Sequence, residues 1–512
     1  MNSFGTRRWW ALAALDLGVL AVGLDVTVLS VALPTLATSL KASESDLQWF
    51  SSAYALVLAA GMLPAGVLGD RFGRKRILLG SLFVFGLGSV ACAFAVNPGE
   101  FIAGRVLLGA AGAAIVVMAL SVMTVLFTEE ERPRAVGVWA AANFLALPVG
   151  PIFGGWLLTN YWWGWIFLMN VPVAAVGIAA VLGLVPESRA AQKPALDPLG
   201  MALVTGALVG VTYGLIELGR NGWTDAPSLA VLAAGVVVGL AFFGWERRLT
   251  VRAGGRPLID LSLFASRGFT WGTLLAALGG LALIGLVFTL PQYSQGVLGL
   301  DPEGAGVRLL PLIGGMVVGA VPADRVAQRA GGKITVAFGF AVTAVALLIG
   351  ARTAVDSSVW FVAGWTALLG FGMGVGFATA ASAALKTVPS EKSGVASALI
   401  QAVQKVGAPL GAAVFGSVLV TVYRSSLSLT GLPPAATELV KRSVFAGVGV
   451  AARLHSPALL ESVRHSFVQG MDVALLLSAA IAALAAVAAL IFLPGRETIG
   501  VQTEGQTAEQ VA

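Results

Sequence analysis

Histidine and cysteine are almost missing from this chain: two histidines, His455 and His465, and one cysteine, Cys92, among 512 residues. A single cysteine excludes any disulfide within the chain, and its place in an apolar run marks it as a reduced, structural residue. What remains assembles no metal-ligand cluster and no nucleophile elbow, and no glycine-rich phosphate loop is present. Metal, cofactor and enzyme chemistry are therefore not expected. With no nucleotide-binding domain, ATP is not the direct energy source. Charge is scarce as well, at 11% of residues, against roughly a quarter in a soluble chain. The net charge of +6 could suggest nucleic acid. The basic residues sit in short loops between apolar runs, however, so membrane topology explains them better and no nucleic-acid partner is expected.

What is abundant is apolar, at 57% of the residues. Stretches of about 20 apolar residues recur along the chain, the mark of a polytopic membrane protein. The expected class is all-α with fourteen membrane helices. Six lie at about 10–35, 48–69, 77–96, 101–123, 135–157 and 164–185. A middle pair lies at about 198–218 and 227–245, and six more at about 268–290, 303–323, 333–352, 358–380, 395–422 and 470–493. The first run, after Arg7-Arg8-Trp9, is too long for a signal peptide and ends at Leu33-Pro34 without a small-residue cleavage site, so it is read as a retained span. With the amino terminus inside, the cytoplasmic segments hold 21 basic residues and the short outer loops 3, which places both termini in the cytoplasm. The organisation is then a six-span half (10–185), an inserted two-span linker (198–245), a second six-span half (268–493) with an external, partly helical loop at 423–469, and a cytoplasmic tail (494–512). Gly69-Asp70-Arg71-Phe72-Gly73-Arg74-Lys75-Arg76 follows the second span. Ala323-Asp324-Arg325, then Arg329 and Gly331-Gly332-Lys333, follows the tenth. The repeat identifies two parallel halves, a known transporter plan. Arginine outnumbers lysine and Ala, Gly and Val are frequent, which points to a bacterial chain from a GC-rich genome.

Two features are unusual for lipid surroundings. The stretch Val149-Gly150-Pro151-Ile152-Phe153-Gly154-Gly155 interrupts a span with proline and glycine, which free backbone carbonyls that neighbouring helices must satisfy. It reads either as a kinked, moving helix or as close packing through small residues. Asp25, in Leu24-Asp25-Val26-Thr27-Val28-Leu29-Ser30, is the clearest mid-membrane carboxylate. At about 2.5–3.5 kcal/mol on insertion scales it should face a cavity. Removal from water favours the neutral form of a carboxylate, the property a proton carrier uses; a helix–helix hydrogen bond is the plainer alternative.

Four phrases carry a resemblance. They are Gly66-Val67-Leu68-Gly69-Asp70-Arg71-Phe72-Gly73-Arg74-Lys75, the Asp25 segment, Ala103-Gly104-Arg105-Val106-Leu107-Leu108-Gly109, and the spacing Gly137, Ala146, Gly150, Pro151, Gly154, Gly155. Together they resemble the major facilitator superfamily, in its fourteen-span drug:proton antiporter branch of quaternary-ammonium and multidrug efflux pumps. Trp163-Gly164-Trp165-Ile166-Phe167-Leu168-Met169-Asn170-Val171-Pro172 and Leu290-Pro291-Gln292-Tyr293 fit the same family. The resemblance implies that Asp25 and Arg105 couple transport to protons. Arginine cannot itself release a proton, so Arg105 would act on a nearby carboxylate, or else reach the outer interface. It implies a gating loop of Gly66, Asp70, Arg71, Gly73, Arg74 and Lys75, echoed by Asp324 and Arg325. It also implies an antiporter fifth span built on Gly137, Gly150, Pro151, Gly154 and Gly155. The departures are Ser30 for the usual Asn, Leu108 for a polar residue, Ala146 for Gly and Gly164 for Arg.

Lys405, about ten residues into the thirteenth span, contacts substrate, pairs with a carboxylate or reaches the cytoplasmic surface; with Gln292 and Gln401 it completes a possible substrate cavity. Glu217 and Arg308 are placed at interfaces. Where relatives that handle dications carry extra acidic residues, this chain has Ser52, Met316 and Gln401, so neutral, zwitterionic or monocationic compounds are the expected cargo. The expected function is proton-driven export of lipophilic drugs or antibiotics by alternating access, with protons and the bilayer as the other partners, from a monomer in the bacterial inner membrane. The rivals are a proton-coupled permease importing a metabolite and a non-transporting sensor or scaffold.

Overall fold

The computed structural model describes residues 3–127, 131, 135, 146, 149–189, 197–251, 261–386 and 393–494; within the helices some further side chains, those of Asp324, Gln401 and Lys405 among them, fall outside the described set. Gly137, expected in the fifth span, also lies outside it. The described chain holds no strand. A first block contains α1 (Ser3–Ser39), α2 (Glu44–Phe72), α3 (Arg74–Ala93), α4 (Pro98–Leu126), α5 (described over 149–160), α6 (Trp165–Leu168) and α7 (Asn170–Leu184). Next come α8 (Pro198–Asn221) and α9 (Ala226–Val251). A second block contains α10 (Arg267–Gln292), α11 (Pro302–Val307), α12 (Leu310–Ala330), α13 (Gly332–Gly350), α14 (Val359–Lys386), α15 (Ser393–Ser426), α16 (Pro434–Val440), α17 (Val444–Arg453) and α18 (Pro457–Phe492).

Short polar side chains start many of these helices by accepting from their first free N–H groups. Ser43 and Asp46 form a reciprocal capping box on α2, Asn97 caps α4 ahead of Pro98, and Asp197 caps α8 ahead of Pro198. Proline marks the irregularities: α2 bends by 49° at Pro64. The expected span at 164–185 is broken at Met169 into α6 and α7, three residues before Pro172, whose missing N–H cannot continue the ladder.

Among the described residues eleven helices are long and apolar enough to cross a bilayer, twelve with bent α2 counted as one span. The expected spans at 135–157 and 395–422 are the two not counted, and both include residues or side chains outside the described set. Several helices overrun their expected boundaries. At 1.5 Å per residue the 36 residues of α18 reach about 54 Å, against about 30 Å of hydrocarbon. The expected external loop at 423–469 accordingly shrinks to 427–456, and most of that is α16 and α17.

Within the first block α1 packs on α4 and α7, α2 on α4, and α3 on α4 and α7. Within the second, α10 packs on α14, α15 and α18, α12 on α14, and α13 on α14 and α18. Small residues permit the closest of these approaches: Gly315 and Gly319 of α12 face the backbone of α14 at Ala367 and Phe371, while Gly370 and Gly374 of α14 face α12 at Leu312 and Met316. The two blocks meet where α2 packs on α15, and α8 lies against both. α9 packs on α8 and leaves Val236, Leu240 and Phe243 exposed, an apolar face suited to lipid.

The internal repeat has a backbone counterpart. α2 ends on Gly73 (φ 115°, ψ 125°) and α12 on Gly331 (φ 91°, ψ 144°), each donating its N–H to a carbonyl four residues back. These left-handed conformations favour glycine. Registered on the two glycines, the residue equivalent to Asp70 is Gln328. Asp324, expected to echo Asp70, stands one helical turn deeper in α12, and the expected Asp-Arg correspondence is corrected by four residues.

Candidate functional site

The distal end of the bundle, remote from the amino terminus, holds the turn between α1 and α2. Between that end and the middle, α1 brings Asp25 against Arg105 of α4, and the two side chains form an ion pair through Asp25 Oδ2 and Arg105 Nη1 that is 0% and 1% exposed. Arg105 Nε donates to the Phe50 carbonyl of α2 at 3.0 Å, and the guanidinium lies over the Tyr54 ring, 4.3 Å from its centroid. Tyr54 in turn donates to the Val22 carbonyl of α1 at 3.2 Å. Two helices, α1 and α2, thus hold one guanidinium of α4 by a charge, a carbonyl and a ring face. Asp25 Oδ1 has no hydrogen-bond partner among the described residues. The alternative in which Arg105 reaches the outer interface is excluded by its burial. An aromatic layer covers the pair on its distal side: Phe101, one turn before Arg105, lies 4.5 Å from Phe50 and 5.3 Å from Phe167 between ring centroids, with Trp163 at 6.5 Å. The Trp163–Pro172 phrase therefore supplies part of the dry roof over the ion pair.

Arg105 also forms part of a cavity wall. The cavity, of about 50 Å³, lies between Val26, Leu29 and Ser30 of α1, Ser51 and Tyr54 of α2, and Val287 and Phe288 of α10, so it straddles the seam between the two blocks. Drug-sized sites measure about 300–1,000 Å³, so a substrate fits here only when the blocks separate. Gln292 stands one turn beyond Phe288, wholly buried, its amide donating to the Phe288 carbonyl at 3.1 Å, beside Glu44 of α2. It does not line this cavity. The side chains of Gln401 and Lys405 fall outside the described set.

The fifth-span cluster sits directly behind Asp25. Gly150 and Gly154 face Thr27 and Val28 of α1, and Gly23 of α1 faces Ala146. Thr27 Oγ1 stands within hydrogen-bond distance of the carbonyls of Gly23, Leu24 and Ala146, at 3.1, 3.2 and 3.0 Å, so its one proton can serve the backbone of either helix. The opposite face of α5 meets the second block: a Cβ on Gly155 would stand 2.7 Å from the Pro302 carbonyl, and Gly306 of α11 abuts Pro151. Glu303 N donates to Thr159 Oγ1 at 3.3 Å, and Gln295 Nε2 to the Val31 carbonyl of α1 at 2.9 Å. Gln295 lies in the single π-turn Tyr293–Val297 that ends α10. At the distal end the two blocks are therefore in contact. Between the two readings of the cluster, the described part displays close packing; the stretch in which a kink would begin, 136–145, is outside the described residues.

The loop between α2 and α3 fastens to its own block. Arg74 bonds Asp70 Oδ1 through Nε at 3.0 Å and Nη2 at 2.8 Å, and reaches the Ser121 carbonyl of α4 at 3.3 Å. Lys75 Nζ donates to the Leu182 carbonyl of α7 at 2.8 Å. Gly66 faces Val117 of α4, and a Cβ on Gly73 would stand 2.6 Å from Glu187 Oε1. Arg71 lies against the Phe72 ring and Arg325 of the second block is exposed. Asp70, near the end of α2, thus pairs with Arg74, the first residue of the neighbouring α3. Glu187 and Ser188, just after α7, were not singled out in the sequence, yet Glu187 accepts from Lys75 N at 3.3 Å and Ser188 from Arg74 N at 2.9 Å. Tyr54 and the buried carboxylates Asp16 and Glu44 were missed as well. Asp16 was the findable one, since it interrupts the first apolar run.

Residues 15–412 match the family model described as Major Facilitator Superfamily. The chain is 32% identical to the tetracenomycin C resistance and export protein of Streptomyces glaucescens, over 94% of this chain and 91% of that one. It is 34% identical to the methyl viologen resistance protein SmvA of Salmonella typhimurium (92% and 95%) and 32% identical to the multidrug efflux pump LfrA of Mycolicibacterium smegmatis (97% and 96%). Among solved structures, a bacterial homologue of the human lysosomal transporter Spinster, inward-facing and unoccupied, superposes with a TM-score of 0.67 at 18% identity, covering 94% of this chain and 98% of that one. A D-xylose–proton symporter superposes at 0.58 and 16%, covering 95% and 98%.

Proposed function

The chain belongs to the major facilitator superfamily, a family of membrane transporters, and from that premise we propose that it is a proton-driven exporter of lipophilic drugs or antibiotics working by alternating access. The observation that carries the reading is the buried Asp25–Arg105 pair, whose arginine lines a cavity between the two blocks. An ionised Asp25 holds the guanidinium. A proton on Asp25 cancels that charge and frees Arg105, which changes the wall of the substrate path. A group that alternates between two charge states at the seam of two moving bodies is what antiport requires. Each proton moving inward down 100 mV releases about 2.3 kcal/mol to drive the cycle. The export direction is supported by the names of the relatives, which are resistance and efflux proteins, against an importing permease or a scaffold.

The rest of the proposal follows from loop charge and the described contacts. The reading takes fourteen spans with both termini in the cytoplasm, supported by the loop charges, and a monomer in the bacterial inner membrane. The contacts of α5 with α11, and of Gln295 with Val31, then close the external side. Asp70, Arg71 and Arg74 act at the cytoplasmic gate, and the two halves rock about the seam of α2 and α15 while α5, bending at Gly150, Pro151, Gly154 and Gly155, parts from α11. In everted vesicles, energised dye or antibiotic uptake is expected, with collapse on adding an uncoupler. Uptake indifferent to the uncoupler removes the proton from the mechanism.

The described cavity lining contains no carboxylate, and Asp25 lies behind Arg105. Neutral and monocationic compounds are therefore the expected substrates, with rigid dications exported at least tenfold less efficiently. Methyl viologen, a dication, is the sharp probe because it appears in the name of a relative. Equal uncoupler-sensitive transport of methyl viologen and of a monocation of similar size overturns this charge rule.

A further inference from the structure

The distal face carries a second, much larger cavity, of about 880 Å³, that belongs to neither the ion pair nor the seam beside it. It is walled by the α1–α2 turn, the end of α8, the end of α15 and the segment around α16, so both blocks and the inserted pair contribute. Five cations line it: Lys41, Arg220, Arg424, Lys441 and Arg442. Two carboxylates do as well, and both are engaged. Asp46 is held in the α2 cap, accepting from Ser43 N at 2.8 Å and Ser43 Oγ at 2.7 Å. Glu438 pairs with Lys441 at 3.4 Å. Outside the lining, Glu217 lies 3.7 Å from Arg220. Lys41 and Arg442 make no ion pair among the described residues. Arg424 fixes the shape, donating to the Arg220 carbonyl at 2.6 Å and the Lys441 carbonyl at 3.2 Å.

The level of this cavity in the bundle narrows its ligand. Trp223, 43% exposed in the turn after α8, donates its indole N–H at 3.2 Å to Thr421, a residue of the lining. Below it Tyr213, also 43% exposed, packs on Trp49 at 6.0 Å between ring centroids. An exposed Trp at a span end marks the headgroup region of a bilayer, and a pocket there lined by Lys and Arg suits an anionic phosphate by charge and hydrogen bonding. We infer that this vestibule binds the phosphate of an anionic lipid headgroup, which ties the distal ends of α1–α2, α8 and α15 together. The inference is independent of proton coupling and of transport direction.

The test uses the purified full-length protein in nanodiscs of phosphatidylcholine with and without phosphatidylglycerol, beside a Lys41→Gln/Arg442→Gln variant. Native mass spectrometry is expected to find phosphatidylglycerol retained on the wild type and roughly tenfold less on the variant, since each basic residue adds materially to anionic-lipid affinity. The thermal midpoint of the wild type rises in phosphatidylglycerol and that of the variant does not. Equal midpoints of the two proteins in pure phosphatidylcholine show that the variant is folded, with Arg442→Gln alone as the fallback. Millimolar inorganic phosphate in phosphatidylcholine nanodiscs is expected to leave the midpoint unchanged. Equal retention by variant and wild type overturns the site, and a shift produced by phosphate alone overturns the lipid as its ligand.

Discussion

Asp25→Asn is expected to abolish the proposed proton-driven efflux and to leave the protein in the membrane. The asparagine keeps an oxygen that accepts from Arg105 Nη1, and the guanidinium keeps the Phe50 carbonyl and the Tyr54 ring. What is lost is the charge that a proton can cancel. In everted vesicles uncoupler-sensitive transport should fall at least a hundredfold while the amount of protein changes by less than half. Asp25→Leu should behave differently, because it leaves Arg105 buried with no acceptor for Nη1. Breaking one side of a buried pair costs about 3–5 kcal/mol, and arginine has no way to discharge itself, so the protein level should collapse too. Arg105→Met is the complementary variant. It leaves a carboxylate, which can neutralise itself by taking up a proton, so this variant accumulates better than Asp25→Leu and is equally inactive. Undiminished, uncoupler-sensitive efflux by Asp25→Asn ends the case for this residue as the coupling group. Equal accumulation of Asp25→Leu and Arg105→Met ends the case that the pair is dry.

Much of this arrangement is legible in the sequence, for physical reasons that differ by residue. Asp25 stands out because a charge in a long apolar run is costly and needs a partner. Arg105 stands out for the same reason, but nothing in its sequence neighbourhood says that the partner is 80 positions earlier, so outward reach stayed open until α1 and α4 were seen side by side. The turn glycines of the repeat were visible as residues. Their backbone angles were needed to register them, and this moved the partner of Asp70 from Asp324 to Gln328. Tyr54 was invisible because an aromatic in a membrane helix is ordinary until its ring is found under a cation. Glu187 escaped because it lies past the end of a span, where charge is commonplace. The overlong helices escaped for a simpler reason: hydropathy reports where lipid begins, and a helix such as α18 continues beyond that point.

The ion pair and the glycine cluster act on one short piece of α1. Asp25 leaves this helix toward α4, while Thr27 and Val28 press on Gly150 and Gly154 of α5. A change of charge at Asp25 is therefore made within one helical turn of the contact with the helix that reaches the other block. The packing is contiguous from Asp25 to the seam, and under the proposed function it is the route by which a proton on Asp25 would act there.

That route predicts opposite outcomes for two glycines five residues apart. Gly150→Val drives a branched side chain into Thr27, whose hydroxyl is already packed within hydrogen-bond distance of three carbonyls, and α1 and α5 belong to the same block. No movement between blocks relieves the clash, so the variant should accumulate poorly and transport nothing. Gly155→Val strikes the other block, at Pro302 and Glu303 of α11, and that clash disappears once the distal ends part. Overpacking costs about 1–3 kcal/mol. A value near 2 kcal/mol, imposed on the distal-closed state alone, changes the ratio of the two states about thirtyfold. The variant should fold and accumulate normally while its distal ends stand apart. Spin labels on the distal ends of α5 and α11 in Gly155→Val should show a longer distance population that is minor in the wild type, and transport should slow because the return to the closed state is now uphill. If the distance distribution is unchanged while Gly155→Val is inactive, α5 is not the element that carries the motion across the seam. If Gly150→Val behaves as Gly155→Val does, the α1–α5 contact also opens during the cycle, and the first block does not move as one body.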